Sequence, residues 1–280
     1  MGRRLKMWKP FNIAKEDVFD KKWSIIGVGV LVGLMGLYVI NMLSSMDFSQ
    51  LEDYISSLPD SMLALLGGEL DITNPYSFTS SYVYSFMWLY CGIFLVYLAS
   101  NLLPQDVENH TIDLTLSKPI SREEYLIGKI SFIYIFILAL MAIITLFITA
   151  GIFSSELFIQ EGIYLERVAA ATLLAILHLG TLVMTAVFAS TIFLDAKKTT
   201  LVAVIVMFVM FFIGDFSPVM NPEIGNTLQY FSTWCYYNTS QVLGAGNYAN
   251  LARDVLVLGT INLALIAASL YVFRKKDIPL

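Results

Sequence analysis

Charged side chains are scarce in this chain. Only 14% of its 280 residues are Asp, Glu, Lys or Arg, against about 25% in an ordinary soluble domain, and 57% are hydrophobic. A protein of this composition cannot build a surface that faces water on all sides, because it lacks the charged residues to cover it. The composition therefore indicates that lipid is the solvent for most of the chain.

Cysteine, histidine and buried acids are also rare. Cys91 and Cys235 are too few for a disulfide framework, and we interpret both as structural. Inside the apolar runs, His178 is the only side chain whose charge changes near neutral pH, and we interpret it as a hydrogen-bonded packing residue rather than a proton relay. The runs contain no carboxylate, whereas a carrier driven by protons or sodium usually holds one near the membrane midplane.

Catalytic signatures are missing as well. The sequence contains no H-E-x-x-H, no G-x-S-x-G and no pair of intramembrane aspartates, which argues against a membrane-embedded hydrolase. It also contains no G-x-x-x-x-G-K-[ST], and its one Gly-Lys pair, Gly128–Lys129, lacks both the leading glycine and the following Ser or Thr. We therefore expect no catalytic residue, cofactor, metal site or nucleic-acid partner, and any energy from ATP must come through another polypeptide.

Six apolar runs are present instead. A helix that crosses about 30 Å of hydrocarbon needs roughly 20 apolar residues, and none of the runs shows the alternation of a membrane β-barrel. The sequence therefore predicts an all-α integral membrane protein that forms a single transmembrane domain over residues 1–280. The predicted transmembrane helices cover residues 23–43, 82–103, 130–153, 168–194, 199–214 and 255–273.

Basic residues fall on one side of this predicted membrane topology. If the N-terminus is cytoplasmic, every Lys and Arg except Arg167 and Arg253 also lies on the cytoplasmic side. The positive-inside rule describes this distribution. The sequence thus predicts that both termini and the segment 104–129 are cytoplasmic.

Three segments outside the runs have patterns of their own. Residues 10–22 place apolar side chains on one side and charged side chains on the other, which predicts an amphipathic interfacial helix. In the first outer loop, 44–81, apolar residues at helical spacing behind Pro59 predict a helix on the membrane surface. Residues 215–254 mix Pro, Gly and Asn with an aromatic cluster, which predicts a segment that enters the outer side of the membrane and returns.

The first apolar run carries Gly29 and Gly33 in a G-x-x-x-G spacing, followed by Gly36. Small residues at this spacing let a second helix backbone come close. The spacing predicts a tightly packed partner helix without identifying it.

The cytoplasmic segment 104–129 is compact and charged. Within residues 111–117 apolar and polar side chains alternate, which fits either a short strand or a short helix along the membrane. Ser121 and Glu124 form a capping-box pattern, so the third helix is predicted to begin near Arg122 and to run without a break into the bilayer. From the residues alone, the segment is either a solvated connection or a rigid knob that another protein pushes.

The stretch "VENHTIDLTLSKPISREEYLIGK" resembles the signature loop of ABC transporter permeases of the ABC-2 type. Its matching residues are Glu108, Thr111, Ile112, Asp113, Leu116, Ser117, Pro119, Ser121, Arg122 and Lys129. His110 departs from the pattern, because the family usually has Gly there. The stretches "IAKEDVFDKKW" and "FRKKDIPL" resemble the family's elbow helix and its usual carboxyl end, so the resemblance covers essentially the whole chain.

This resemblance implies a permease subunit in the cytoplasmic (plasma) membrane of a prokaryote, with an elbow helix over residues 10–22, six transmembrane helices and a re-entrant outer hairpin over residues 215–254. Two subunits, identical or paralogous, pair in the lipid bilayer. Each docks a separate ABC ATPase, which binds ATP and Mg, through the coupling loop 104–129. The implied coupling residues are Glu108, Thr111, Ile112, Asp113, Leu114, Leu116, Ser117, Lys118, Pro119, Ser121 and Arg122.

The sequence is therefore compatible with three functions. The favoured one is the permease subunit of an ATP-driven exporter. The alternatives are an ATP-independent channel or carrier and a membrane scaffold or assembly protein. The lack of midplane charge disfavours a carrier, and the capped loop favours force transmission over passive docking. The apolar and aromatic helices favour an amphipathic or hydrophobic cargo.

Overall fold

The computed structural model describes residues 9–43, 57–59, 62, 74–109 and 120–276. Within these ranges the chain forms helices and turns, with no strand. Six helices are long and apolar enough to cross a membrane, which confirms the predicted all-α class with six transmembrane helices. They are α1 (Lys9–Leu43), α2 (Pro75–Glu108), α3 (Arg122–Ser154), α4 (Leu165–Phe193), α5 (Ala196–Met220) and α6 (Leu251–Lys275).

Helix α1 includes the predicted interfacial segment 10–22. The prediction placed a boundary at residues 22–23, but the helix continues through it, because no Gly or Pro interrupts the chain between Phe11 and Ile26. Its 35 residues correspond to about 52 Å, well beyond the hydrocarbon thickness of about 30 Å. Residues 10–22 thus extend the first transmembrane helix, and their position in the membrane interface stays a prediction. Of the predicted surface helix in loop 44–81, most residues lie outside those described.

Helix α3 packs along α1 at the glycines of the G-x-x-x-G spacing. A Cβ atom on Gly33 would lie 2.5 Å from Cδ2 of Phe147, and one on Gly29 would lie 3.1 Å from Cβ of Ile143. These separations are shorter than ordinary van der Waals contact. The predicted partner of the first helix is therefore α3.

Replacing Gly33 with Ala is expected to lower the free energy of unfolding by about 1–3 kcal/mol, because the added methyl group overlaps the ring and the Cβ atom of Phe147. Gly27→Ala is the matched control on the same helix, since nothing lies within 4 Å of its added Cβ atom. The control should be neutral or slightly stabilising. Denaturant unfolding in micelles measures both, and equal losses would show that the α1–α3 contact is loose.

Helix α4 lies at the centre of the bundle. In the most apolar 18-residue stretch of α4, 67% of the residues are buried, whereas the corresponding share in α6, at the periphery, is 17%. It contacts α2, α3, α5 and α6. Asn262 ties the peripheral α6 to this centre: its Nδ2 donates to the carbonyl of Leu177 at 3.1 Å, and its Oδ1 accepts from the Tyr134 hydroxyl at 2.6 Å.

Between α5 and α6 lies a folded hairpin segment, residues 217–250, which begins with the last turn of α5. It contains the short helices Pro222–Leu228, Gln229–Phe231, Thr233–Tyr236 and Ser240–Gly244. Its buried Trp234 and Tyr237 pack against α4, while Tyr230 and Phe231 remain exposed. The position of this segment relative to the bilayer stays a prediction. We call its end of the bundle the hairpin end.

Candidate functional site

The predicted coupling loop joins helices at the opposite end of the bundle, the loop end, formed by residues 9–22, 101–109, 120–129, 192–198 and 274–276. Of the predicted coupling residues, Glu108, Ser121 and Arg122 belong to the described part of the chain. The others lie outside the described residues: Thr111, Ile112, Asp113, Leu114, Leu116, Ser117, Lys118 and Pro119. The candidate site therefore consists of the residues where the loop leaves α2 and where it joins α3.

The chain enters the loop through a short helix, Pro104–Glu108, that follows a two-residue turn at the end of α2's main axis. Pro104 occupies the first turn, where its missing N–H leaves no hydrogen bond unmade. Pro104 therefore ends the main axis of α2 and also begins one more helical turn. Oε1 of Glu108 accepts a hydrogen bond from the backbone N–H of Ala196 at 3.2 Å. A carboxylate at a helix N-terminus is favourable, so Glu108 links the loop to α5.

The chain leaves the loop at the predicted capping box, which is confirmed. The Ser121 hydroxyl accepts from the N–H of Glu124 at 3.1 Å, and the Glu124 carboxylate accepts from the N–H of Ser121 at 2.8 Å. Nη1 of Arg122 donates to the carbonyl of Lys276 at 2.5 Å, and Nζ of Lys276 donates to the carbonyl of Ile192 at 2.6 Å. The start of α3 is thus held to the ends of both α6 and α4.

One charged cluster joins three helices at the loop end. Lys129 is only 8% exposed, and its Nζ lies 2.9 Å from Oδ2 of Asp106 and 3.1 Å from Oδ2 of Asp17. The Tyr125 hydroxyl donates a hydrogen bond to the same Asp106 oxygen. We call Asp17, Asp106, Tyr125 and Lys129 the Lys129 cluster. It places one ammonium between two carboxylates and so connects α1, α2 and α3.

The backbone beside this cluster is packed just as closely. A Cβ atom on Gly128 would lie 2.9 Å from Cβ of Ile13 and 3.0 Å from the carbonyl oxygen of Pro10. Helix α1 therefore presses directly on α3 one residue before Lys129. The loop exit cannot move along its axis without moving α1.

Sequence reasoning found Lys129 only as part of the family pattern and missed Asp17 and Asp106. These three residues are far apart in the chain, so no local spacing relates them. The order of the apolar runs does give one signal. An acid at the end of one run and a lysine at the start of the next must lie at the same membrane surface, and they can therefore pair.

The comparisons with known proteins show the family of the chain. The family model for ABC-2 family transporter proteins matches residues 11–278, which cover the loop and all six helices except the first two residues of α1. The chain belongs to the ABC-2 transporter family. A search of curated proteins returned no match. The chain is thus a multi-pass membrane protein and a permease subunit of an ABC transporter, and membrane proteins of this family generally work with an ABC ATPase.

Within the permease, His178 lies on α4 and faces the hairpin segment. Its ring stacks on Tyr237 with centroids 4.4 Å apart and meets Trp234 edge-on at 4.5 Å. It is 1% exposed, and neither ring nitrogen has a hydrogen-bond partner among the residues that the structure describes. His178 therefore packs the permease interior as predicted, but without the predicted hydrogen bond.

The permease also has an open cleft of about 590 Å³ beside the Lys129 cluster, between α1 and α2. Its lining includes the aromatic residues Tyr97 and Phe132. The charged residues of the lining are four acids and two bases: Asp17, Asp20, Asp106, Glu108, Lys21 and Lys129. The cleft therefore has a net negative lining directly beside the entrance to the loop.

Proposed function

We propose that this permease is the membrane subunit of an ATP-driven exporter in a prokaryotic plasma membrane, with both termini and the loop 104–129 in the cytoplasm. A separate ATPase docks on the loop, binds ATP and Mg, and carries out hydrolysis, while this chain holds no catalytic residue. Two permeases, identical or paralogous, pair to form the path. One observation carries the proposal: both ends of the loop are fixed to the rest of the bundle.

The fixed ends provide a route for force. Glu108 connects the loop entrance to α5, Arg122 connects the loop exit to α6, and the Lys129 cluster connects α2 and α3 to α1. A push on residues 111–117 is therefore passed to several helices together. In this proposal, closure of the ATPase pair tilts each bundle and opens a path between the two subunits.

The distribution of buried charge disfavours a carrier. Apart from His178, the only buried residues of ionisable type in the described helices are Lys129, Tyr125, Tyr76, Tyr84, Cys91 and Asp254, and the two charged ones lie at opposite ends of the bundle. An ion-coupled carrier needs charge near the midplane. A scaffold has no need for a loop that is tied at both ends to transmembrane helices. The two fixed ends of this loop therefore favour the exporter over a scaffold.

The proposal predicts a stoichiometric ATPase partner. We expect the tagged permease, purified in mild detergent, to bring down a soluble protein that contains G-x-x-x-x-G-K-[ST]. Scrambling residues 111–117 should abolish its recovery, because these residues form the proposed docking surface. Scrambling residues 247–249 at the hairpin end is the matched control and should leave recovery unchanged. The proposal fails if intact permease brings down no such protein, or if both scrambled variants recover it equally.

A further inference from the structure

The hairpin end contains a second cavity, distinct from the cleft at the loop end. It has a volume of about 370 Å³ and is bounded by α2, α5, the hairpin segment and the first turn of α6. Its accessible wall is mostly polar, and the residues that line it include Asp215, Tyr230, Trp234, Asn238, Asn250 and Arg253. This volume falls in the range of small-molecule sites.

The wall of this cavity contains one acid that has no charged partner in the described part of the chain. Arg253 is neutralised by its neighbour, since both Nε and Nη2 lie 2.8 Å from Oδ1 of the buried Asp254. Asp215 takes part in none of the ion pairs or side-chain hydrogen bonds found in the described part of the chain. The remaining wall residues are neutral. A ligand that complements this wall therefore carries a positive charge.

The neutral part of the wall narrows the class of cation. Tyr230 contributes exposed aromatic surface, which attracts an ammonium group through its ring quadrupole, whereas Trp234 and Tyr237 line the cavity but are buried. Asn238 and Asn250 supply amide groups for hydrogen bonds. A bare inorganic ion would fill only a small part of 370 Å³. The size of the cavity, its amide groups and the exposed ring of Tyr230 together favour an organic ammonium ion.

Irregular helices converge on the same cavity. Wall residue Asp215 lies within the π-helical turn Phe212–Phe216, Ser240 begins the π-helical turn Ser240–Gly244, and Ser85 directly follows the π-helical turn Ser80–Tyr84. Such turns are rare, redirect side chains within a helix, and occur frequently at functional sites. Their convergence indicates a wall shaped for a ligand, independently of its charge.

We infer that this cavity binds an organic ammonium ion, with Asp215 as the counter-charge and the ring of Tyr230 against the cation. The site follows from the cavity alone. Its extension, that organic cations are the exported cargo, rests on the proposed function. Under the proposed orientation the cavity opens on the outer side, where a cargo is released.

Titration calorimetry on the full chain in lipid nanodiscs, without ATPase, tests the site. The probe is phenyltrimethylammonium, and its neutral isostere is tert-butylbenzene. We expect saturable binding of the cation, an increase in Kd of about tenfold or more in Asp215→Asn, and no change in Glu223→Gln, an exposed acid at the same end. Saturable binding of tert-butylbenzene with equal affinity, or an unchanged Kd in Asp215→Asn, would overturn the inference.

A second measurement uses the unaltered chain and does not depend on a variant that folds. Cys235 lines the cavity and is partly exposed, whereas Cys91 is buried. Phenyltrimethylammonium should slow the alkylation of Cys235 by N-ethylmaleimide severalfold, while NaCl at the same concentration should not. No protection, or equal protection by NaCl, would contradict an organic-cation site.

The two proposals fail separately. If cation binding is found but no ATPase is recovered in the pull-down, the site stands and the exporter proposal falls. If the ATPase is recovered and the cation does not bind, the exporter proposal stands and this cavity is not a cation site.

Discussion

Lys129→Met is expected to lower the free energy of unfolding by about 3–5 kcal/mol, because it leaves the carboxylates of Asp17 and Asp106 facing each other without their shared cation. Removing one partner of a buried ion pair lowers the free energy of unfolding far more than replacing both partners with neutral residues does. Denaturant unfolding of the permease in micelles measures the loss. The variant should still bind the ATPase, because residues 111–117 are intact, but transport per ATP hydrolysed should fall.

Two further variants make this result specific. Lys198→Met is the matched control, since Lys198 is paired with Asp195 at 3.8 Å but its side chain is 72% exposed, and its loss should be about 0.5 kcal/mol or less. The triple variant Asp17→Asn, Asp106→Asn, Lys129→Met removes all the charges together and should recover most of the stability. Equal losses for Lys129→Met and Lys198→Met would show that the cluster does not hold the three helices.

His178→Ala is expected to lower the free energy of unfolding by about 3 kcal/mol, because it removes the ring that fills the space between Tyr237 and Trp234. His178→Phe keeps an aromatic ring, larger by one ring atom, and removes two buried nitrogens that have no partner among the described residues. It should therefore be neutral or stabilising by about 1 kcal/mol.

The same pair of variants separates packing from proton transfer. Transport by His178→Phe should match that of the unaltered permease across the pH range, since a packing residue needs only its shape. A stable His178→Phe variant with no transport would contradict this account and assign His178 a role in moving protons.

The fold class was predictable from the sequence because lipid imposes a strong constraint: a backbone in hydrocarbon must satisfy its own hydrogen bonds, so long apolar runs become helices. The start of α3 was predictable for a local reason, since the capping box of Ser121 and Glu124 involves residues only three positions apart. The full length of α1 was not predictable from hydropathy, because residues 10–22 are charged and yet continue the same helix.

The candidate sites depend on contacts between distant parts of the chain. Lys129 meets Asp17 across 112 positions of sequence, and no periodicity encodes that pairing. Asp215 belongs to the cavity wall because a π-helical turn redirects the end of α5 and because Gly214 lets the hairpin segment approach: a Cβ atom there would lie 2.8 Å from Oγ of Ser232. Both features arise only when the helices pack.

The central claim, that an ATPase docks on the loop between α2 and α3, is tested most directly by site-specific photo-cross-linking. A photoreactive amino acid at position 114 should cross-link to a protein whose peptides include G-x-x-x-x-G-K-[ST], and the yield should change on addition of ATP. The same amino acid at position 231, exposed at the hairpin end, should give no such product. Cross-linking of that protein from position 231 but not from position 114, or from neither, would contradict the account.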